Sequence, residues 1–118
     1  VGAATLMLDN WDTLLQRDPN RKFIQIARKH GAVSVFNIIL NEEKWNKLIQ
    51  KGLTAEQIIT IATKKAGNST LKFILDENNR WEDLKTQFSA EKIINVASSD
   101  RGHRELKQLK QQLGSNPS

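Results

Sequence analysis

Three short stretches hold the residues best suited to chemistry: "RKHGAVS" (28–34), "TKKAGNS" (63–69) and "SSDRGHR" (98–104). Each is net basic, with Arg28 and Lys29 beside His30, Lys64 beside Lys65, and Arg101 and Arg104 against Asp100. Each also holds one glycine: Gly31, Gly67 and Gly102. Ammonium groups beside glycine suit a phosphate, because glycine lets backbone N–H groups come close to it at the start of a helix. Adjacent lysines at a tight turn repel one another, and an anionic partner relieves that repulsion. Between the constant features lies a chemically mixed position, occupied by His30, Lys65 and Asp100. A carboxylate on a phosphate-facing edge is tolerable where it reaches a hydrogen-bond donor, and N4 of cytosine in the major groove is one.

Other chemistries lack their residues. The chain has no cysteine, which excludes a disulfide scaffold and a cysteine zinc site. Its two histidines, His30 and His103, do not share a place in the pattern, so no paired metal site is expected. No Ser/His/Asp grouping recurs, and Glu42-Glu43 reads as a solvated helix face. The expectation is a protein without catalytic residues, metal, cofactor or small-molecule substrate. Apolar residues make up 38% and charged residues 26% of 118, which fits one modest folded domain or a few small repeats. No apolar stretch approaches the roughly 18 residues that span a bilayer, so no membrane partner is expected. Net charge is +5 and the sequence pI about 9.7, which permits a polyanionic partner. "VGAATLMLDNW" starts without Met or a basic n-region and reads as a cut from a longer chain. The closing "GSNPS" reads as a frayed tail.

The loops must be positioned by something periodic, and the sequence supplies it. Phe23, Ile58 and Ile93 stand 35 residues apart, as do Ile26, Ile61 and Val96, and Ala27, Ala62 and Ala97. Phe36, Leu71 and Leu106 keep the same interval, as do Ile39, Ile74 and Leu109. Trp45 and Trp81 slip from it by one residue, and Trp11 marks the end of an earlier unit. The expected division is 1–17 (end of a truncated repeat), 18–52, 53–87, 88–113 (a partial last repeat) and 114–118 (tail). Within a unit, Ile58, Ile61 and Ala62 have helical spacing, and Leu71, Ile74 and Leu75 begin a second stripe continued by Trp81 and Leu84. Thr54 with Gln57 forms a capping box, Ser89 caps the third unit, and Asp18-Pro19 opens the first. The predicted fold is all-α: an α-solenoid of two-helix repeats of about 35 residues, since one hairpin cannot bury both faces and stacked neighbours can. The tryptophans are assigned to packing between repeats.

Stacking turns equivalent positions into rows. The inter-helix loops then make a basic edge, while "NEEKW" (41–45) and "DENNRWED" (76–83), net acidic, lie elsewhere. A row of basic loops suits a polyanion with its own regular repeat, a nucleic acid.

"LTAEQIITIATKKAGNSTLKFIL" (53–75) and "FSAEKIINVASSDRGHRELKQL" (88–109) resemble the repeat of transcription activator-like effectors. That repeat opens Leu-Thr-Pro-Glu-Gln, runs through a Val/Ile/Ala helix to a variable residue pair and two glycines, and ends in a second helix. The resemblance covers Asp18 to about Leu113. It implies a right-handed superhelix following the major groove of double-stranded DNA, a monomer reading one base of one strand per repeat. The first residue of each pair, Lys29, Lys64 or Ser99, would brace the loop; the second, His30, Lys65 or Asp100, would face the base. Asp100 goes with cytosine in that scheme, while Lys65 and His30 offer donors to guanine. Gly31, Gly67, Gly102, Arg28, Arg101 and Arg104 would serve the loop or the phosphates. The double glycine stands here as Gly31-Ala32, Ala66-Gly67 and Arg101-Gly102. The resemblance also implies a bacterial protein acting on DNA in a host nucleus. Two other readings fit a 35-residue helical period: an RNA-binding repeat like the pentatricopeptide repeats, and a protein-interaction α-solenoid.

Overall fold

The computed structural model describes residues 2–115. Among them every regular element is helical: α1 (Ala3–Asp9), α2 (Trp11–Arg17), α3 (Phe23–Ala27), α4 (Ala32–Ile39), α5 (Glu42–Gln50), α6 (Ala55–Thr63), α7 (Gly67–Leu75), a 3-10 turn (Glu77–Asn79), α8 (Trp81–Phe88), α9 (Ala90–Ala97) and α10 (Gly102–Ser115). None of these helices is long and apolar enough to cross a membrane. Gly114 and Ser115 of the expected tail lie in α10, and residues 116–118 fall outside the described residues.

The units stack. α3 packs on α6, α4 on α7 and α7 on α10, with α1 against α4 at the start. The body measures 50 × 24 × 21 Å, an elongated helical-repeat architecture. The apolar columns form its core. Phe23, Ile58 and Ile93 are fully buried, as are Phe36, Leu71 and Leu106. Leu14, Leu48 and Leu84 make a further buried column on α2, α5 and α8. Trp81 is buried and donates its Nε1 hydrogen to the Lys51 carbonyl (2.9 Å), and Trp11 meets Phe23 edge-on at 5.0 Å.

The pattern predicts two helices per unit, and the structure corrects this to three in the two central units. The expected second helix breaks at Leu40–Asn41 and again between residues 76 and 80. In the first break the Asn41 side chain accepts the Lys44 N–H (3.0 Å) and caps α5. In the second, Asp76 accepts the Asn78 N–H (3.0 Å), Asn79 donates to the Phe73 carbonyl (3.0 Å), and Arg80 turns left-handed at φ 58°. Short Asn and Asp side chains compete with the helix by bonding nearby backbone, whereas apolar periodicity runs straight through them. One period on, Gln111 stands where Asn41 and Asp76 stand. Glutamine favours the helix interior, and α10 continues for 14 residues.

The caps at the first helices form from local sequence. Thr54 and Gln57 make a reciprocal capping box, and Ser89 accepts the Lys92 N–H (3.2 Å). Asp18, buried, reaches past Pro19 to accept the Phe23 N–H (2.7 Å), so α3 opens at Phe23. Two apolar columns turn polar in α10. Gln108 occupies the column of buried Ile38 and Phe73, and Lys110 that of Leu40 and Leu75.

Gly67 and Gly102 are buried first residues of α7 and α10. A Cβ on Gly67 would sit 2.4 Å from the Ile61 carbonyl oxygen, and one on Gly102 would sit 2.7 Å from those of Val96 and Ala97. These glycines let each second helix start against the end of its first helix. Gly31 works differently: it is exposed, its φ is +81°, and nothing lies within 4 Å of its missing Cβ. Gly67→Ala should therefore lower stability by about 2 kcal/mol through backbone overlap, and Gly31→Ala by about 1 kcal/mol through the left-handed φ alone. Urea unfolding of both variants checks the order, and a Gly67→Ala protein as stable as the parent contradicts the close approach.

Candidate nucleic-acid interface

The three inter-helix loops share one hydrogen-bond template but not one backbone conformation: Gly31 is left-handed at φ +81°, whereas Ala66 at the equivalent place has φ −99°. The N–H groups of Lys29, Lys64 and Ser99 donate to the carbonyls of Ile26, Ile61 and Val96 at 3.0, 3.0 and 3.1 Å. The N–H groups of Ala32, Gly67 and Gly102 then donate to the carbonyls of Lys29, Lys64 and Ser99 at 3.3, 3.0 and 3.1 Å. All the partners sit 35 residues apart along the chain. The template pins the residue before the tip and the first residue of the next helix, and what lies between is pushed outward. His30, Lys65 and Asp100 are all exposed, and no side-chain hydrogen bond or ion pair engages them among the described residues.

The residues expected to brace the loops behave unequally. Lys29 Nζ donates to the Ala62 carbonyl at 2.9 Å and also bonds the Lys64 carbonyl. It thus places a cation on the open carbonyl end of α6 and ties the first loop to the second, a favourable match to the helix dipole. Burial holds this lysine below its ordinary pKa. Ser99 turns back to its own helix, donating to Val96 (2.7 Å), and Ser98 likewise donates to Ile94 (2.9 Å). Lys64 is half-buried and makes no side-chain hydrogen bond among the described residues. Arg28, Arg101 and Arg104 are exposed and carry no ion pair among those residues. The N–H groups of Gly67 and Gly102 are bonded within the loop, to the Lys64 and Ser99 carbonyls.

Lys29 links the first two loops directly, while Thr60 of α6 and Ser98 beside the third loop line one groove. Away from the loops, acidic segments satisfy their neighbours. Glu77 accepts from Lys47 (2.9 Å) and Lys51 (3.3 Å), Arg80 pairs with Asp83 (2.8 Å), and Lys85 with Glu82 (3.1 Å). Further cations are committed to packing. Lys85 Nζ also bonds the Lys51 carbonyl (2.5 Å), and Arg17 bonds the Ile39 carbonyl, pairs with Glu42 and lies 5.0 Å over the Trp45 ring. A cationic column on the second helices, Lys72 and Lys107, escapes a reading that counts charge only in loops and acidic tails; its signal is their shared place in the period.

No family model, curated protein or solved structure matches the chain.

Two consequences are measurable. Lys29→Met removes a charged donor from two carbonyls and should cost about 1 kcal/mol of stability, read by urea unfolding. An unchanged midpoint contradicts the link between loops. The Lys47 and Lys51 ammonium groups hold the Glu77 carboxyl below its ordinary pKa, through hydrogen bonds first and charge second. A depressed folded-state value adds stability above the unfolded pKa, and that stability is lost as pH falls through the folded one. The melting temperature of Glu77→Gln should lie below the parent's at pH 7, and the gap should close by about pH 3.

Proposed function

We propose that this chain is a double-stranded DNA-binding repeat module, each inter-helix loop presenting one side chain to a base edge in the major groove. The observation that carries the reading is the hydrogen-bond pattern common to the three loops, with His30, Lys65 and Asp100 exposed at equivalent positions of the period. Resemblance to transcription activator-like effector repeats supports the same assignment, with the stack winding right-handed around the duplex. Lys65 and His30 donate to guanine O6/N7, and Asp100 accepts from cytosine N4. Arg28, Lys64, Arg101 and Arg104 meet phosphates. Lys64 and Lys65 are compatible neighbours because both answer to the same polyanion.

Magnitudes set the balance. Each good base contact is worth about 1–3 kcal/mol of discrimination, so three loops select weakly. Affinity then rests on phosphate contacts and falls steeply with salt. A labelled duplex should bind at about 50 mM salt and lose at least about tenfold in affinity by 200 mM. Reversing Lys64, Lys65 and Arg104 together to Glu should abolish binding without unfolding the protein, because none of the three is buried. A duplex that does not bind at low salt rules out the proposal. Single-stranded RNA outcompeting the duplex replaces it with an RNA-binding repeat. Binding indifferent to both salt and charge reversal leaves a protein-interaction stack.

A further inference from the structure

Between α7 and α10 the stack leaves a cleft of about 500 Å³. Its charged lining is uneven: Lys72, Lys107 and Lys110 bring three ammonium groups against the carboxylate of Asp76. One oxygen of that carboxylate accepts the Asn78 N–H at 3.0 Å, and no ion pair to it forms among the described residues. The contrast with the acidic segments is direct. Lys47, Lys51 and Lys85 each have a carboxylate within 3.3 Å, whereas among the described residues no ion pair holds Lys72, Lys107 or Lys110. Three lysines against one aspartate leave the lining net cationic, which favours an anionic occupant.

The walls are also held in place. Asn79 uses its amide nitrogen on the Phe73 carbonyl (3.0 Å), which aims its oxygen at Lys110 Nζ (2.9 Å). This neutral acceptor fixes the ammonium without cancelling its charge. At the loop end, His103 stands edge-on to the buried Phe73 ring, centroids 6.1 Å apart and planes at 77°. Lys72 and Lys107 occupy equivalent positions of adjacent units, both exposed, one from each wall. Burial, and then the Lys107 charge, hold the imidazole below its ordinary pKa. Near neutral pH it therefore offers one N–H without adding to the repulsion.

We propose that the α7–α10 cleft is a binding site for a compact, multiply charged phosphate group. Lys72 and Lys107 meet its oxygens from the two walls, Lys110 meets it at the foot, and His103 donates at the loop end. The site uses none of the base-facing loop residues, so it goes beyond the loop reading and stands or falls separately. Two sources supply this chemistry, a free polyphosphate ligand and the backbone of a nucleic acid lying past the third loop.

The test titrates isotope-labelled protein with sodium pyrophosphate at fixed ionic strength. Saturable amide shifts should map to Ser69, His103 and Lys107, and the imidazole titration of His103 should move upward. The double variant Lys72→Ala/Lys107→Ala should bind about tenfold more weakly, while Lys64→Ala/Lys65→Ala should stay within about twofold of the parent. Asp76→Asn, which keeps the oxygen that caps Asn78, should bind more tightly and tests the same charge balance without removing a lysine. Shifts that fail to saturate by about 10 mM overturn the site. So does equal weakening in the loop variant, unchanged affinity in the cleft variant, or weaker binding by Asp76→Asn. Adding duplex DNA to the pyrophosphate-saturated protein separates the sources. Displacement identifies backbone phosphate as the occupant, and simultaneous binding identifies a free ligand. If the duplex does not bind at all, the loop reading fails and the pyrophosphate result still decides the cleft.

Discussion

Short helices leave carbonyls without partners, and this fold is organised around satisfying them. Apart from α10, its α-helices run only five to nine residues. The last four carbonyls of any helix lack an intrahelical donor, so in helices this short the end groups are a large share of the backbone. The neighbouring unit answers part of the need. Lys29 caps α6, Trp81 and Lys85 together cap α5, and Arg17 bonds the last carbonyl of α4. Each donor comes from a different unit than its acceptor, so the groups that finish the helices also join the repeats. The apolar columns supply the larger driving force by area. The capping bonds fix which unit faces which.

This arrangement changes what the positive charge means. A surplus of +5 invites a polyanion, yet several of the cations that contribute to it are engaged inside the stack. Lys29, Lys85 and Arg17 bond carbonyls, while Lys47 and Lys51 share Glu77. Cations without a carboxylate among the described residues include a set on the loop edge, Arg28, Lys65, Arg101 and Arg104, and a set in the α7–α10 cleft, while Arg21, Lys22, Lys44 and Lys92 lack one elsewhere. Lys29 and Lys64 stand at equivalent positions and play unlike parts. Lys29 meets carbonyls of the next loop. In the loop after Lys64 the hydroxyls of Ser98 and Ser99 bond the Ile94 and Val96 carbonyls of their own helix, and Lys64 makes no side-chain hydrogen bond among the described residues.

Much of the local structure follows from residue type alone. The 35-residue interval, the buried columns from Phe23 to Leu106, the capping box at Thr54 and the exposure of His30, Lys65 and Asp100 all rest on side chains interacting with their own helix or on burial of a periodic face. The breaks at Asn41 and Asp76 are also sequence-local, but apolar spacing hides them. The hydrophobic stripe continues across the break, and only the capping tendency of Asn and Asp marks it. Gln111 shows the rule from the other side, where the helix runs on.

Tertiary contact decided the rest, because it depends on atoms brought together from different repeats. Nothing in "RKHG" distinguishes Lys29, aimed at carbonyls 33 and 35 residues away, from Lys65, aimed at solvent. Nor does sequence separate a glycine needed for its φ, Gly31, from one needed because a carbonyl lies where its Cβ would be, Gly67. The order of residues sets the period and the faces, since those are properties of one helix. Which charges are cancelled and which stay open is set only when neighbouring units meet, since Coulomb energy and hydrogen bonding depend on distances that the chain itself leaves free.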